Sequence, residues 1–258
     1  MSLLRSQGPR QSRMARRTIY RLSAAVRGAM KVIIDRKKIG TRQKLSNFAS
    51  LGGLLLLLVS VVLPLIDVTW NTYSTIIMVI GLAMAMIGIY FANRWVKKPR
   101  PEALLDETLI NLHDTYRLYH YPALPCDHVM LTPGGVVVLE TNNLEGKFSY
   151  KNGRWREKIG LGKVLRYLVE VHLGNPIRSA MDDVSYLKDQ LSVRIPGGET
   201  IPVWCVVVFV HPRAVLEIEG AEIPVCKVEK LRKHVTARST RLPPQLYEGA
   251  RKVIEGVL

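Results

Sequence analysis

Two long apolar runs constrain this chain more than any other feature. Residues 48–66 and residues 76–92 contain no charged side chain, and only nine residues separate them. An α-helix needs about 20 apolar residues, within a range of about 17–25, to cross the hydrocarbon core of a bilayer. A buried core helix explains one such run more easily than two in tandem. We therefore predict two transmembrane helices joined by a tight turn within residues 45–96.

The charges that flank these runs predict the orientation of the hairpin. The chain has a net charge of +16, and residues 1–44 contain thirteen Lys and Arg side chains but one acid. The turn between the runs contains neither Lys nor Arg. By the positive-inside rule, residues 1–44 and 101–258 then lie on the cytoplasmic side. We expect two spans in a bacterial inner membrane with both termini cytoplasmic. The Arg- and Ser-rich start also fits a mitochondrial presequence, which is the alternative.

The basic N-terminal segment, residues 1–44, contains a helical pattern. Apolar residues recur at spacings of three and four, which predicts one apolar helical face. These residues are Ile19, Leu22, Val26, Met30 and Ile33. A basic amphipathic helix beside a membrane span favours anionic membrane lipids as partners. Nucleic acid is the rival partner, because its phosphates attract the same charges.

Small residues on the second apolar run predict close helix packing. Gly81, Ala85, Gly88 and Ala92 follow one another at spacings of four, three and four. Such a stripe lets a neighbouring helix approach closely. We expect the stripe to pack against the first run, and a homodimer through the transmembrane helices is the alternative.

Residues 101–258 have the composition of a soluble α/β domain. Their acidic and basic side chains almost balance, which excludes a uniformly basic protein. Hydrophobic spacing and turn signals predict a mixed β-sheet flanked by helices. The predicted helices cover residues 102–112, 176–193, 231–234 and 244–257, and the predicted strands cover residues 116–121, 128–132, 136–141, 146–150, 154–157, 202–210 and 222–228.

Two carboxylates flank the first predicted hairpin of this domain. A turn centred on Gly134 places Asp127 almost opposite Glu140. Because side chains alternate along a strand, Glu140 and Asn142 project on one face and Thr141 on the other. Two carboxylates on adjacent strands offer oxygen ligands to a divalent cation, which can promote phosphodiester hydrolysis. Two solvent-facing acids at strand ends are the alternative interpretation.

The segment around these acids resembles the core of a known family. Residues 126–143 read CDHVMLTPGGVVVLETNN, with an Asp-His pair opening one strand and Glu-Thr-Asn-Asn closing the next. This pattern is similar to that of the nuclease-related domain, NERD, and weaker similarity extends over residues 102–215. The family is related to the PD-(D/E)xK nucleases. The resemblance therefore implies a restriction-endonuclease-like fold, a mixed sheet flanked by helices, behind the transmembrane hairpin.

The resemblance also implies a site and a cofactor. Asp127 and Glu140 would hold Mg²⁺ or Mn²⁺, and Glu107 would be the helix acid of the catalytic set. The family's lysine corresponds to Asn142, which has no charge and is no strong base. Whether the protein is an enzyme is therefore left open.

A second departure from the family concerns the helix that begins at Asn175-Pro176. The family often has glutamine three residues after its Asn-Pro pair, where this chain has Ser179. The missing lysine could be replaced from another position in this chain. The candidates are Lys147, Arg178 and Lys188.

A basic strip follows the acids in the sequence. We predict that Lys147, Lys151, Arg154 and Arg156 contact DNA or RNA, and that Tyr150 and Trp155 stack on bases. The strip continues to Lys158, Lys163 and Arg166. A hairpin edge protected by charge is the alternative.

Two classes of function follow from these patterns. The first is a membrane-anchored, metal-dependent nuclease at the cytoplasmic face. The second is a nuclease-derived binding or scaffolding module without catalysis. The near-neutral charge of residues 101–258 favours the second class, because domains that bind nucleic acid usually carry a basic excess. The basic strip favours the first class.

Overall fold

The computed structural model describes residues 28–95, 100–158, 173–238 and 240–257. These ranges contain six α-helices and nine β-strands. Two predicted features lie outside the described residues: the first part of the N-terminal amphipathic helix, up to residue 27, and the end of the basic strip at Lys163 and Arg166.

The two apolar runs form a helical hairpin. Helix α1 covers Arg36–Ile66 and helix α2 covers Asn71–Trp95, with a short 3-10 turn at Val68–Trp70 between them. Both helices are long and apolar enough to cross a membrane. Only 17% and 11% of their most apolar windows is buried, which distinguishes them from core helices of a soluble protein.

The small-residue stripe of α2 packs against α1, as we expected. A Cβ added at Gly53 of α1 would lie 2.6 Å from the backbone nitrogen of Ala85. A Cβ added at Gly81 would lie 3.0 Å from the Leu56 side chain. The Ser46 hydroxyl also donates a hydrogen bond of 3.2 Å to the carbonyl of Gly88. The stripe is thus used within the chain.

The predicted helical face is wrong at its C-terminal end, because Lys31–Ile34 forms strand β1. This strand pairs in parallel with β2, Arg117–His120. Val32 and Ile33 fill opposite faces of the sheet, so their alternation serves a strand here. Residues 31–34 therefore belong to the sheet of the α/β domain, and a domain boundary at residue 101 omits one of its strands.

The main sheet has six strands in the order β1-β2-β3-β4-β7-β9. Strand β3 is antiparallel to both of its neighbours, and the other neighbouring pairs are parallel. The predicted mixed α/β fold is confirmed. Beyond β1 and β2, the strands of this sheet are β3 His128–Thr132, β4 Gly135–Asn142, β7 Val203–Phe209 and β9 Val225–Lys227.

Helices cover both faces of this sheet. Helices α3 and α5 pack on one face, where Leu105 and Leu231 meet Met130. Helices α4 and α6 pack on the other face, where Leu187 and Val253 meet Val138. These helices are α3 Pro101–Leu109, α4 Pro176–Arg194, α5 Leu231–Val235 and α6 Pro244–Glu255.

A second, three-stranded sheet has the order β6-β5-β8. Its strands are β5 Gly146–Lys151, β6 Arg154–Lys158 and β8 Ala214–Ile218. Sequence patterns predicted the β5–β6 hairpin but not β8. This strand has only five residues, and buried or half-buried positions alternate with exposed positions along it. Phe148 and Tyr150 point from this sheet into the core of the α4 side.

Candidate functional site

Asp127 immediately precedes β3, and Glu140 lies near the end of the neighbouring strand β4. Val129 of β3 pairs with Val138 of β4. Extended by two residues beyond the paired positions, this register would bring Asp127 opposite Glu140, the arrangement that the sequence predicts. Both side chains are half-buried. The β3–β4 hairpin therefore places both candidate acids at the same end of the main sheet.

The pair faces helix α4 at one end of the main sheet. Val129 and Val138 are buried in the core on the α4 side, and Asp127 and Glu140 lie two residues beyond them on the same face. The start of β3 and the end of β4 share this end of the sheet with the end of β1. Helix α1 leaves the domain from that end, so the acids and the base of the hairpin lie at the same end of the sheet.

A third carboxylate, Asp183, joins this neighbourhood from α4. Burial raises its pKa, and the negative charges of Asp127 and Asp182 raise it further. The sequence predicted that Asp182 and Asp183 form a solvated helix face, which is wrong for Asp183 because it is half-buried. The signal was its spacing: Asp183 lies three residues after Ala180 and four before Leu187, both fully buried.

The thiol of Cys205 on β7 experiences the same group of charges. Its pKa is raised to about 11, first by burial and then by the negative charges of Asp183 and Glu140. The positive charge of Lys188 acts in the opposite direction. Asp183, Glu140 and Lys188 thus lie close enough to one buried thiol to influence its ionisation.

Asn142, at the position of the family's lysine, has a structural role at the end of β4. Its side-chain oxygen accepts a hydrogen bond of 3.1 Å from the N–H of Leu144, which closes a turn. Its carbonyl accepts a hydrogen bond of 2.9 Å from the N–H of Val210. An amide oxygen engaged in this turn supplies no positive charge to the acids.

The three candidates for the missing positive charge lie in different places. Lys147 projects from the exposed face of the three-stranded sheet, on a strand whose neighbours Phe148 and Tyr150 face the core. Arg178 is exposed in the first turn of α4. Lys188 is exposed as well, but its charge acts on Cys205 together with Glu140. The positive charge of Lys188 thus acts on the same thiol as the negative charge of Glu140.

The structure does not bring Glu107 to Asp127 and Glu140. Glu107 is exposed on α3, and α3 packs on the face of the sheet opposite to α4. Two other acids of α3 turn inward: Asp106, whose carboxylate contacts buried His120, and Glu102, which is 7% exposed. The Glu102 carboxylate lies 3.5 Å from the Tyr121 hydroxyl.

A buried chain of polar groups adjoins Asp127 on the α3 side. Nδ1 of His120 lies 2.8 Å from Nδ1 of His128, and Nε2 of His120 lies 2.9 Å from a carboxylate oxygen of Asp106. The two histidines face each other across the β2–β3 pair. Linear spacing did not reveal this contact, because it depends on the register of two strands joined by a seven-residue loop.

The acids fit a divalent cation in part. Among the described residues, no group of three or more His, Cys, Asp or Glu side chains is arranged to hold a metal ion. Mg²⁺ in proteins is usually bound by one or two carboxylates and several waters, so two carboxylates are a sufficient set. Burial is the largest cause of the raised pKa of Asp183, and the negative charge of Asp127 adds to it; a cation at the acids would relieve this second part.

The predicted basic strip forms one exposed face of the three-stranded sheet. Lys147, Lys151, Arg154 and Arg156 are all exposed. Lys151 pairs with Arg154 across the β5–β6 hairpin, and like charges at facing positions destabilise a sheet. Lys151 also forms an exposed ion pair with Glu219 at 2.8 Å, which offsets little of this repulsion.

The predicted stacking role of Tyr150 and Trp155 is wrong, because both rings point into the core. Their ring centroids are 5.1 Å apart, and the Trp155 ring lies 5.9 Å from that of Phe209. Tyr150 is 6% exposed. Alternation along the hairpin places the cations on one face and these aromatic rings on the other.

A mixed sheet with helices on both faces is the architecture that the sequence resemblance implied. The family model of the nuclease-related domain, NERD, matches residues 92–210. The chain therefore contains a nuclease-related domain. The match begins near the end of α2 and ends just after β7, so it includes all the candidate acids. Neither a curated protein nor a solved structure matches the chain.

Proposed function

We propose that this protein is a membrane-anchored nuclease-related protein whose Asp127–Glu140 site takes Mg²⁺ or Mn²⁺ and acts on phosphodiester bonds of DNA or RNA at the cytoplasmic face. The observation that supports the proposal is the β3–β4 register, whose extension by two residues would bring these two carboxylates to facing positions within a nuclease-related domain. Asp183 adds a third carboxylate to the same neighbourhood.

The side chains around the acids have separable roles in this proposal. Asp127 and Glu140 would bind the cation, which supplies Lewis acidity and a more acidic bound water. Asp183 would hold a water of that cation through a hydrogen bond. Lys188 would offset negative charge that develops on the phosphate, in place of the absent lysine at position 142. The electrostatic effect of Lys188 on the thiol beside Glu140 supports this assignment.

The alternative function is a nuclease-derived binding or scaffolding module. The observation that favours it is the hydrogen bond between Asn142 and the N–H of Leu144, because this residue completes a turn instead of supplying a charge. A protein of this kind would keep the fold and the basic surface while lacking phosphodiester hydrolysis. The two functions differ in turnover and share the membrane anchor.

A cleavage assay separates these functions. The full chain in lipid nanodiscs is incubated with single- and double-stranded DNA and RNA in the presence of Mg²⁺ or Mn²⁺. Cleavage by the wild type that Glu140→Gln abolishes supports the nuclease, and cleavage only by Asn142→Lys supports the inactive module. If neither the wild type nor Asn142→Lys cleaves any of these substrates, the nuclease proposal is wrong. Glu107→Gln is the matched control, because Glu107 is exposed on the other face.

The exposed cations of the β5–β6 hairpin would contact the phosphates of the nucleic acid. Their alignment on one face supports this assignment, since Lys151 and Arg154 lie at facing positions despite their repulsion. The logarithm of the binding constant falls linearly with the logarithm of the salt concentration, and each phosphate contact that is removed should make this slope less steep by about one. The double variant Lys151→Ala/Arg154→Ala is compared with Lys233→Ala/Lys252→Ala, which removes two exposed cations from α5 and α6. Equal losses of affinity would contradict the assignment.

Two features of the chain support the membrane orientation that we propose. Strand β1 precedes the hairpin and β2 follows it, and the two pair in one sheet. Both ends of a spanning hairpin would then lie on one side, which the basic flanks assign to the cytoplasm. Anionic lipid headgroups would contact Arg42 and Lys44 near the start of α1.

Labelling of introduced cysteines tests this orientation, because the three native cysteines are buried. Val68 in the turn of the hairpin and Val193 in α4 are 79% and 82% exposed. A membrane-impermeant maleimide added to intact cells should label Val68→Cys and leave Val193→Cys unlabelled. Labelling of Val193→Cys from outside the cell would contradict the cytoplasmic assignment.

A further inference from the structure

The base of the helical hairpin contacts the α/β domain at Tyr121. Ile39 in the first turns of α1 and Tyr121 form a small buried cluster, against which Phe91 of α2 packs. Ile39 is 7% exposed and Tyr121 is 5% exposed. This cluster is separate from the two cores that fill the faces of the main sheet.

A backbone connection reinforces this contact. The N–H of Asp35, the single residue between β1 and α1, donates a hydrogen bond of 3.3 Å to the carbonyl of His120. His120 is the last residue of β2 and precedes Tyr121. The start of α1 therefore contacts both His120, the last residue of β2, and Tyr121, the residue that follows it.

Tyr121 in turn fixes the backbone of Asp127. Its φ angle is 56°, in the left-handed region that residues with a Cβ seldom adopt. In this conformation its N–H donates a hydrogen bond of 2.6 Å to the carbonyl of Asp127. The bond closes the loop between β2 and β3 and sets where Asp127 leaves that loop.

The Tyr121 side chain also contacts the polar groups beside Asp127. Its ring centroid lies 5.2 Å from that of His128, and its hydroxyl donates to Glu102 at 3.5 Å. Tyr121 thus contacts helices α1 and α2 of the hairpin, helix α3, and the start of β3. A shift of the hairpin base would act on each of these contacts through the same ring.

We propose that the base of the hairpin is a positioning element of the Asp127–Glu140 site, with Tyr121 as the positioning residue that connects the two. This inference rests on the proposed function, because it concerns the affinity of that site for a divalent cation. Contacts of Ile39 and Phe91 hold the Tyr121 ring, the Tyr121 N–H holds the Asp127 carbonyl, and the Asp127 carboxylate is thereby held opposite Glu140. A bilayer that changes the placement of the hairpin base then changes the affinity of the site.

The experiment uses the full chain in lipid nanodiscs and two variants of the contact, Ile39→Ala and Phe91→Ala. The control is Ile80→Ala, the same substitution at a position of α2 that is 50% exposed. Hydrogen exchange of the β2–β3 peptide reports the Tyr121–Asp127 bond, and exchange of the α4 peptide reports whether the domain is still folded. A Mn²⁺ titration reports the affinity of the site.

In both contact variants, the amide hydrogens of the β2–β3 peptide should exchange about tenfold faster than in the wild type. The reason is that the cavity left by the smaller side chain weakens the local contact. Their Mn²⁺ affinity should fall about tenfold, as is typical when an outer-shell support of a metal site is lost. Tyr121→Ala should show the same two defects. Tyr121→Phe keeps the apolar ring, so its exchange rate and its Mn²⁺ affinity should be close to those of the wild type. The α4 peptide and the Ile80→Ala control should behave like the wild type.

Three results would overturn the inference. Exchange of the β2–β3 peptide in Ile39→Ala and Phe91→Ala that equals exchange in Ile80→Ala would show that the hairpin does not hold the loop. Faster exchange with unchanged Mn²⁺ affinity would show that the loop is held without positioning the site. If the wild type does not bind Mn²⁺, the proposed function fails and this inference fails with it, whereas intact binding in the wild type limits the failure to the inference.

Discussion

Val32, which precedes the helical hairpin, pairs with Leu118, which follows it, in a parallel ladder. The hairpin is therefore inserted between the first two strands of one sheet, and both of its ends return to the same domain. Val32 is 8% exposed and Leu118 is fully buried, so the pairing contributes to a core. The α/β domain consequently includes residues from both sides of the hairpin.

This arrangement predicts that a fragment of residues 101–258 is less stable than a chain that keeps β1. The fragment loses the buried side chains of Met30, Val32 and Ile33. Full burial of an apolar side chain is worth about 1.5–3 kcal/mol, so the combined loss amounts to several kcal/mol. Urea unfolding of the fragment is compared with that of residues 28–258 in which a flexible linker replaces residues 36–99. Equal midpoints would show that β1 contributes nothing to the fold.

A second prediction concerns the pH dependence of stability at Asp183. Its pKa is raised in the folded protein above the usual 3.8, chiefly by burial. Such a group favours the folded state fully below its unfolded pKa, and this contribution is lost as pH rises through the folded pKa. Asp183→Asn should therefore raise the Tm by a few degrees at pH 7, and the difference should disappear below about pH 3.8.

Added Mn²⁺ should reduce the difference in Tm between Asp183→Asn and the wild type at pH 7. A cation at the site would relieve the repulsion between Asp183 and Asp127 in the wild type. Asp189→Asn, an exposed acid further along α4, is the control. A Tm of Asp183→Asn that is below the wild-type value at pH 7 would contradict the placement of Asp183 among the acids.

The packing of the hairpin predicts a difference between two adjacent glycines. A Cβ at Gly53 would lie 2.6 Å from the backbone of Ala85, whereas a Cβ at Gly52 would lie 3.1 Å from the flexible end of the Met84 side chain. Gly53→Ala should therefore separate α1 from α2 and lower the Tm of the full chain in detergent. Gly52→Ala should be tolerated, because the Met84 side chain can move. Equal effects of the two substitutions would contradict this helix packing.

The assignment of Lys188 predicts a selective effect on turnover. If Lys188 stabilises charge on the phosphate, Lys188→Met should lower kcat about 100-fold or more with little change in KM. Lys147→Met removes a cation from the nucleic-acid surface and should raise KM while kcat is retained. A similar kcat for both variants, measured with the substrate that the wild type or Asn142→Lys cleaves, would exclude Lys188 from the reaction.

Sequence patterns predicted much of the fold because its signals are local. Pro133, Gly134 and Gly135 mark the β3–β4 turn, and this turn sets the register in which Val129 pairs with Val138. The apolar runs likewise predicted the hairpin from composition, although the helices extend beyond both runs.

The errors concern contacts that depend on distant segments. Residues 31–34 fit a helical spacing, yet they form β1 because β2, more than eighty residues later, offers a free edge and a buried position for Val32. Glu102 points inward and Glu107 points outward because of the side of α3 that meets the sheet. The sequence of α3 alone does not reveal which side that is. The contact between His120 and His128 requires the β2–β3 register, which no single segment encodes.

A titration of the full chain with Mn²⁺, followed by the electron paramagnetic resonance signal of the free ion, tests the central claim most directly. The variants are Asp127→Asn and Glu140→Gln, with Glu107→Gln as the control. We predict saturable binding of one Mn²⁺ by the wild type and by Glu107→Gln, and its loss in the other two variants. An absence of saturable binding by the wild type, or equal binding by the wild type and Glu140→Gln, would contradict the account.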